Sequence, residues 1–517
     1  MEQFIFPKGC VFNSLEDIKD KHITVMGLGL NGGGEACVKF FLKHGAYVIA
    51  TDMKTQEQLK PTIDSISHDT SLDLSKLTYV LGEHRIEDFK NADCVIKNPG
   101  VKIQGNEYLA EAKAIETDIS IFLHFTKSPI IAVTGSKGKS STVSAIDYGL
   151  KNAGFTSFLG GNITVSPLTF LDKTNEKTPV VLELSSWQLA DLRGRKALKP
   201  KIAIITKIVP DHQNWYSSMD SYIEDKKLIY ADQDENDFTI LDFDDDDYKT
   251  ECAEPKDDIR CWGDLFAKET KAKVLRYSKK ELPPEIDGVY QKNDEGYFKS
   301  GSEEIKIMGS LFVPGSHMKT NVLNAAAALY LMNVEESKIP SVLGSWKGVP
   351  HRLEFFHKWN TPETEREILF YNDSCATVPE AAAAASQSFG KKVIFITGGT
   401  DKSLNFLPLA QTLKGENNTS YVPAEIYLLS GSGTDKLTPL LDQRNVSYNG
   451  PFDSLEVLLE VLKKNLTGKN ADSLYSTVEE VPSIPVVFSP GATSFGMFTN
   501  EFDRGNKFKS FVEKIFC

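Results

Sequence analysis

A three-domain α/β protein with mostly parallel sheets is what this sequence predicts, on three observations. Three times an apolar, β-branched run ends in a Gly-rich turn and passes into helix-like sequence: HITVMGLGLNGGG at 22–34, PIIAVTGSKGKSST at 129–142 and KVIFITGGTDK at 392–402. Further short apolar runs alternate with helical stretches, the pattern of sheets covered by helices. The chain has 517 residues, more than one ordinary core holds and about enough for three domains.

Composition narrows the class. Hydrophobic residues make up 41% and charged ones 25%, with a mean hydropathy of -0.26, which describes a globular chain rather than a disordered or membrane one. No apolar run reaches about 18 residues, and the start MEQFIFPKGC lacks the features of a signal peptide, so a cytoplasmic protein without membrane insertion is expected. A net charge of -13 disfavours a basic face for nucleic acid, so any phosphate site has to be built locally. Seven widely spaced cysteines with no C-x-x-C pair fit neither a disulfide framework nor a zinc site.

The first domain is expected over 1–122. Gly27, Gly29 and Gly32 form G-x-G-x-x-G after a strand, and Asp52 ends the next strand, VIATD at 48–52. This is the dinucleotide fingerprint, but any nucleotide diphosphate can use the same amides, so a redox cofactor and a diphosphate ligand both remain open. CVIKNPG at 94–100 supplies a further strand end.

The central domain is expected over 123–350. In TGSKGKSST at 134–142, Gly135 and Gly138 let successive backbone amides face phosphate oxygens, Lys139 reaches the β- and γ-phosphates, and Ser140 offers a hydroxyl to Mg2+. The loop reads G-x-x-G-K-S, with Val133 where a stricter motif has its first glycine. VVLELSS at 180–186 places Glu183 at a strand end, suited to holding Mg2+ or to serving as an ordinary cap for the following helix. IAIITKIVPDHQNW carries Asp211 and His212 beyond another strand, and SYIEDKKLIY carries Lys226 and Lys227. Between about 242 and 305 the chain reads as an acidic, irregular insertion, and its DFDDDD run as a solvated surface turn, because the spacing is not that of a calcium loop. NVLNAAAALYLM at 321–332 is helical, and GSWKGVPHR punctuates the boundary near 345–352. The last domain, 351–517, has strands at EIYLLSGSG and PVVFSPG, and 466–482 reads as another surface insertion.

TGSKGKSST, ELSSWQL, the Asp211-His212 segment, GSHMKTNVLNAAAA at 315–328 and Pro350-His351-Arg352 resemble, in this order, the motifs of the Mur ligases and the related folylpolyglutamate synthases. NDSCATVPEA at 372–381, GGTDKSLNF at 398–406, SPGATSF and RGNKF at 504–508 are similar to the glutamate-adding branch. The resemblance implies a Rossmann-like N-terminal domain, a central P-loop-type ATPase and a Rossmann-like C-terminal domain. It implies an amide ligase that uses ATP and Mg2+ to add D-glutamate to UDP-MurNAc-L-Ala through an acyl phosphate, acting as a monomer. Gly29, Leu30, Asp52, Asn98, Gly100, Asn162 and Ser185 would contact the UDP substrate. Gly135, Ser136, Lys137, Gly138, Lys139, Ser140, Ser141, Asn321, Arg352 and Asp373 would contact ATP. Ser140, Glu183, His212 and a carbamylated Lys226 would hold the metal, with Lys227 the alternative register, and Lys139, Glu183, His212 and Lys226 would carry the chemistry. Thr377, Lys402 and Ser494 would bind glutamate.

The departures from the family pattern bear on the amino acid. Cys375 stands where better-known members have lysine, Val378 and Met318 each replace an asparagine, and Lys207 replaces the asparagine before the Asp-His pair. Loss of the lysine leaves D- and L-glutamate both open, as well as a folylpolyglutamate-like acceptor. A dinucleotide-dependent oxidoreductase would leave Lys139, Ser140 and His212 unexplained, and a nucleotide-binding switch would bind ATP without turnover.

Overall fold

The computed structural model describes residues 10–212, 214–362, 366–416, 419–467 and 483–517. Two compact units are present: one runs to Gly309 and includes Thr320–Leu343, the other combines Ser310–Lys319 with Gly344–Cys517. The division falls inside the helix Ser316–Leu331. Among the described residues no helix is long and apolar enough to cross a membrane.

The first unit carries two sheets. The first has β1 (His22–Met26), β2 (Tyr47–Asp52), β3 (Leu77–Leu81), β4 (Cys94–Lys97) and β5 (Ile115–Glu116), all parallel, in the order β3-β2-β1-β4-β5. Its strand order reverses between β1 and β4, and that switch opens a crevice at their C-terminal ends, where α/β sheets bind ligands. The second sheet has β6 (Ile130–Thr134), β7 (Phe158–Gly161), β8 (Val180–Glu183), β9 (Ile202–Ile205) and β10 (Phe238–Asp242), followed by β11 (Lys273–Ser278), β12 (Gly288–Lys292), β13 (Glu295–Ser300) and β14 (Glu303–Met308). Their order is β14-β13-β12-β11-β10-β9-β6-β8-β7. β6 lies between β8 and β9, so the turns after all three open on one edge. Strands β6, β8 and β9 are buried along their whole length, which is why they read as unbroken apolar runs.

Here the structure corrects the sequence reading. The segment expected as an irregular insertion is regular: it forms a helix (Trp262–Glu269) and β11–β14, of which β12, β13 and β14 pair antiparallel. Asn293 and Asp294 join β12 to β13 with φ of 52° and 65°, the left-handed pair a tight hairpin turn requires. The burial of β12 and β14 does not alternate cleanly, and adjacent charges such as Glu303 and Glu304 make the composition resemble a loop. The DFDDDD run is a surface turn with Asp245 and Asp247 exposed, and the carboxylates of Asp244, Asp245 and Asp246 are engaged. Asp244 accepts from Ser278 Oγ at 2.7 Å, Asp246 receives the backbone amides of Tyr248 and Trp262, and Asp245 pairs with Arg260.

The second unit has β15 (Glu354–Asn360), β16 (Glu367–Asn372), β17 (Ile394–Thr397), β18 (Glu425–Leu429), β19 (Asn449–Phe452) and β20 (Ser483–Phe488), in the order β15-β16-β20-β17-β18-β19. Only β15 is antiparallel. The Gly-rich end of β17 does not pass directly into a helix as the sequence suggested; residues 398–406 form a loop before the helix Leu407–Lys414. Of the expected insertion at 466–482, Leu466 and Thr467 end the helix Leu455–Thr467, and 468–482 lie outside the described residues.

Candidate active site

The loop after β6 is held in a shape that only glycine allows. Gly135 has φ +138°, and a Cβ there would overlap Thr206 Oγ1 and stand 3.0 Å from the Thr206 backbone N and O. Gly138, φ +99°, is the N-cap of the helix Lys139–Asn152, and a Cβ there would overlap Asn321 Oδ1. Asn321, one of the expected ATP contacts, therefore lies directly over the loop.

Two loop amides are already spent. Ser136 N and Lys137 N donate to Lys207 O at 2.9 and 3.2 Å, so the first-turn amides of the helix, including those of Ser140 and Ser141, are the ones left for phosphate. Lys139 Nζ folds back to donate to Gly135 O (2.9 Å) and Ser136 O (3.2 Å). Ser136 Oγ bonds Val209 O and Tyr222 OH. Lys137 is exposed and pairs with Asp211 at 3.2 Å.

Glu183 ends β8 beside this loop, buried, with Oε1 accepting from Asn162 Nδ2 at 2.9 Å. Its Oε2 is buried without a hydrogen-bond partner, an unsatisfied acceptor of the kind that a cation completes. Ser185 caps the following helix, Ser186–Ala190, in a capping box with Gln188. Of the two sequence readings of Glu183, metal ligand or helix cap, the second is corrected, because the cap is formed by Ser185. His212 takes a left-handed φ of 53° and packs its ring 4.8 Å from Trp187 and 6.4 Å from Tyr222.

Lys226 is fully buried, its Nζ donating to Gly135 O at 2.9 Å and lying 4.5 Å from the Tyr222 ring centre. Burial, and after it the Lys139 ammonium, pushes this amine well below the ordinary lysine range. Lys227 instead pairs with Glu224 and Glu269. Tyr222, which sequence reasoning missed, stands between His212 and Lys226 and bonds the phosphate loop; its position four residues before Lys226 on the helix Met219–Lys226 was the available signal. Among the described residues no three His, Cys, Asp or Glu side chains gather closely enough to hold a metal by themselves. The donor set fits Mg2+, which binds through one or two carboxylates together with phosphate and water.

The crevice of the first sheet meets this region. A cavity of about 360 Å³ is lined by Gly27, Gly33, Asn98, Gly100, Asn162 and Trp187 among others. A Cβ on Gly27 would come within 2.9 Å of Asn98 Cβ. Gly34, outside the predicted fingerprint, is where the helix Gly33–Lys43 packs on the strand end, since a Cβ there would overlap Gly27 O and Leu28 O. Asp52 is buried and accepts the amides of Gly29 (2.9 Å) and Lys54 (2.9 Å), so the Gly29 amide is held by the chain itself. Leu30 is exposed, and Asn98 Oδ1 accepts from Gly100 N.

In the second unit the loops after β16, β17 and β20 come together. Thr400 and Thr493 exchange backbone bonds, and Gly491 N donates to Ala376 O. Ser494 is buried, Thr377 half-buried and Lys402 exposed. Asp373 is buried, accepting from Leu353 N (3.1 Å) and Ser489 Oγ (2.7 Å), and burial pushes it up to about 7. It thereby fixes the His351–Leu353 turn, in which His351 and Leu353 have positive φ and Arg352 is exposed. Arg504, in the RGNKF segment, ties these loops by donating to Ser374 Oγ (3.0 Å), Ser374 O (2.8 Å) and Ala492 O (3.0 Å).

Glycine-dependent strand-end loops, a buried carboxylate oxygen without a partner and a crevice at the topological switch define an α/β protein of nucleotide-binding type. The Mur ligase middle domain model matches residues 133–331, and the Mur ligase MurD-like, N-terminal domain model matches 21–121. The UDP-N-acetylmuramoylalanine--D-glutamate ligase of Treponema pallidum is 39% identical over 96% of this chain and 98% of its own; that of Borreliella afzelii is 37% identical over 97% and 99%. Among solved structures, the UDP-N-acetylmuramate-alanine ligase of Thermotoga maritima shares the fold, with a TM-score of 0.52 at 17% identity over 96% of this chain and 99% of its own. The chain belongs to the Mur ligase family.

Proposed function

We propose that this chain is an ATP-dependent amide ligase that joins D-glutamate to UDP-N-acetylmuramoyl-L-alanine, working as a cytoplasmic monomer with domains at 1–122, 123–350 and 351–517. The observation that carries this reading is the convergence of the phosphate loop, the unsatisfied Glu183 Oε2 and the buried amine of Lys226 at one edge of the central sheet. The substrate carboxylate attacks the γ-phosphorus of ATP, whose bond to the bridging oxygen breaks and releases ADP, to give an acyl phosphate; the glutamate amine then adds to the acyl carbon, loses a proton and displaces phosphate. Lys139, now paired with loop carbonyls, exchanges those contacts for the transferred phosphoryl oxygens. Mg2+ held by Ser140 and Glu183, with a second ion near His212, would neutralise phosphate charge. Lys226 has the lowered basicity that lets a neutral amine bond to CO2 and, giving one N–H proton to water, become a carbamate, an anion in place of a cation. The first crevice takes the UDP end, and Thr377, Lys402 and Ser494 receive the glutamate carboxylates. The D-isomer is supported by the relatives' activity, D-glutamate ligases that match 96% and 97% of this chain.

The test is phosphate release from ATP with UDP-MurNAc-L-Ala in the presence of D-glutamate, L-glutamate or neither. Release that depends on the D-isomer is expected. Release only with the L-isomer would move the amino-acid assignment to the Cys375 segment, and none with either would remove the acceptor.

A further inference from the structure

Two ion pairs, both buried, link the first sheet to the segment that follows Glu183. Lys97, the last residue of β4, has a side chain only 1% exposed, and its Nζ lies 2.8 Å from Asp191 Oδ2. The same ammonium donates to Asn98 O (3.1 Å) and Val101 O (2.9 Å). Four residues after Asp191, Arg195 pairs with Glu116 at 2.6 Å, with side chains 1% and 0% exposed, and donates to Ile115 O (2.5 Å) and Asp191 O (2.9 Å). Glu116 is further satisfied by Ser120 Oγ and Val11 N.

Taking four charges out of water is a costly way to glue two sheets, because apolar side chains of similar size would hold them as well. What an apolar pair cannot do is aim donors at the carbonyl of Asn98, which opens the Asn98–Gly100 turn, and at that of Val101, which follows it. We infer that Lys97, oriented by Asp191 and backed by Arg195–Glu116, is a positioning residue that sets the Asn98–Gly100 turn as a fixed wall of the acceptor cavity. The inference rests on the reading that this cavity takes the UDP-linked acceptor. Lys97, Pro99 and Trp187 stand at the boundary between this cavity and a neighbouring one of about 820 Å³. Without the ammonium, the turn is free to relax toward the larger space and the acceptor loses its wall. Lys97 touches no reacting atom, so its loss acts on acceptor binding and leaves the phosphate loop alone.

The experiment uses the full chain and compares wild type, Lys97→Met/Asp191→Leu and Lys97→Arg. Each is measured for Tm, for KM of ATP and of UDP-MurNAc-L-Ala, for kcat, and for direct acceptor binding by calorimetry. The apolar double variant is expected to keep Tm within about 3 °C. Its acceptor KM and Kd should rise about tenfold or more, with ATP KM and kcat changed less than about threefold. Lys97→Arg keeps the pair but not the compact donor geometry, and should shift acceptor KM in the same direction with Tm retained. A folded variant of either kind with acceptor KM and Kd at the wild-type level overturns the inference. Failure of wild type to bind the acceptor at all, with ATP binding intact, would overturn the functional reading beneath it as well.

Discussion

Gly138→Ala tests the phosphate loop most directly, because two separate costs can be worked out and then told apart. The residue sits at φ +99°, where an L side chain pays roughly 1–2 kcal/mol. Its new methyl would also overlap Asn321 Oδ1 and stand 3.1 Å from Asn321 Cγ, an overpacking worth roughly 1–3 kcal/mol. Together these give roughly 2–5 kcal/mol, read by chemical denaturation on the unfolding transition that ATP shifts. Asn321→Ala removes the atoms that the methyl strikes but leaves the dihedral cost. In a double-mutant cycle the two substitutions should therefore couple by roughly 1–3 kcal/mol, with the double variant more stable than the sum of the singles predicts. The ATP KM of Gly138→Ala should rise about tenfold, since the amides beside the cap turn away from phosphate. Additive effects within about 0.5 kcal/mol, or an unchanged ATP KM, would refute the placement of Asn321 over a strained loop.

Glu183→Gln keeps an acceptor for Asn162 but removes the charge behind the unsatisfied oxygen; kcat should fall about a hundredfold and the Mg2+ activation curve move to higher concentration, and an unmoved curve would show that Glu183 holds no metal. Lys226→Ala should lose nearly all turnover and regain part of it with added formate or acetate, whereas Lys227→Ala, which breaks only pairs with Glu224 and Glu269, should stay near wild type. The reverse pattern would place the carbamate on Lys227. Asp373 has a folded pKa near 7 against an ordinary 3.8. Between those values the folded state holds the proton that the unfolded state has released, so this group's stabilisation is complete at low pH and fades as pH rises toward 7. The limiting slope is about 1.4 kcal/mol per pH unit. Urea midpoints between about pH 5 and 7 should show that decline in wild type and a flatter profile in Asp373→Asn; equal slopes would show that Asp373 is ionised in the fold.

What the sequence disclosed and what it hid divide along a physical line. Strands β6, β8, β9 and β17 are buried on both faces, so each is an unbroken apolar run whose type and end are written locally. The turn from β6 into the next helix was legible for the same reason, since Gly135, Gly138 and Lys139 are contiguous with it, while the residues that crowd those glycines, Thr206 and Asn321, come from elsewhere in the chain. Strands β12–β14 read as an irregular insertion because β12 and β14 do not alternate cleanly, β12 being buried at three successive residues and β14 exposed at its first two, and the left-handed Asn293-Asp294 turn that pairs β12 with β13 is visible only in the fold. Lys97 is a different case. Nothing in CVIKNPG marks this lysine as buried; its meaning lies in Asp191, 94 positions away, and in two carbonyls that only the folded turn presents. Lys207 departs from the family pattern in its side chain, whereas its backbone oxygen is the atom that takes the two loop amides. A side-chain motif can be read from sequence when the chemistry is carried by contiguous residues. When the function of a position is to orient another segment, residue type underdetermines it, and the partner supplied by the fold is the missing half.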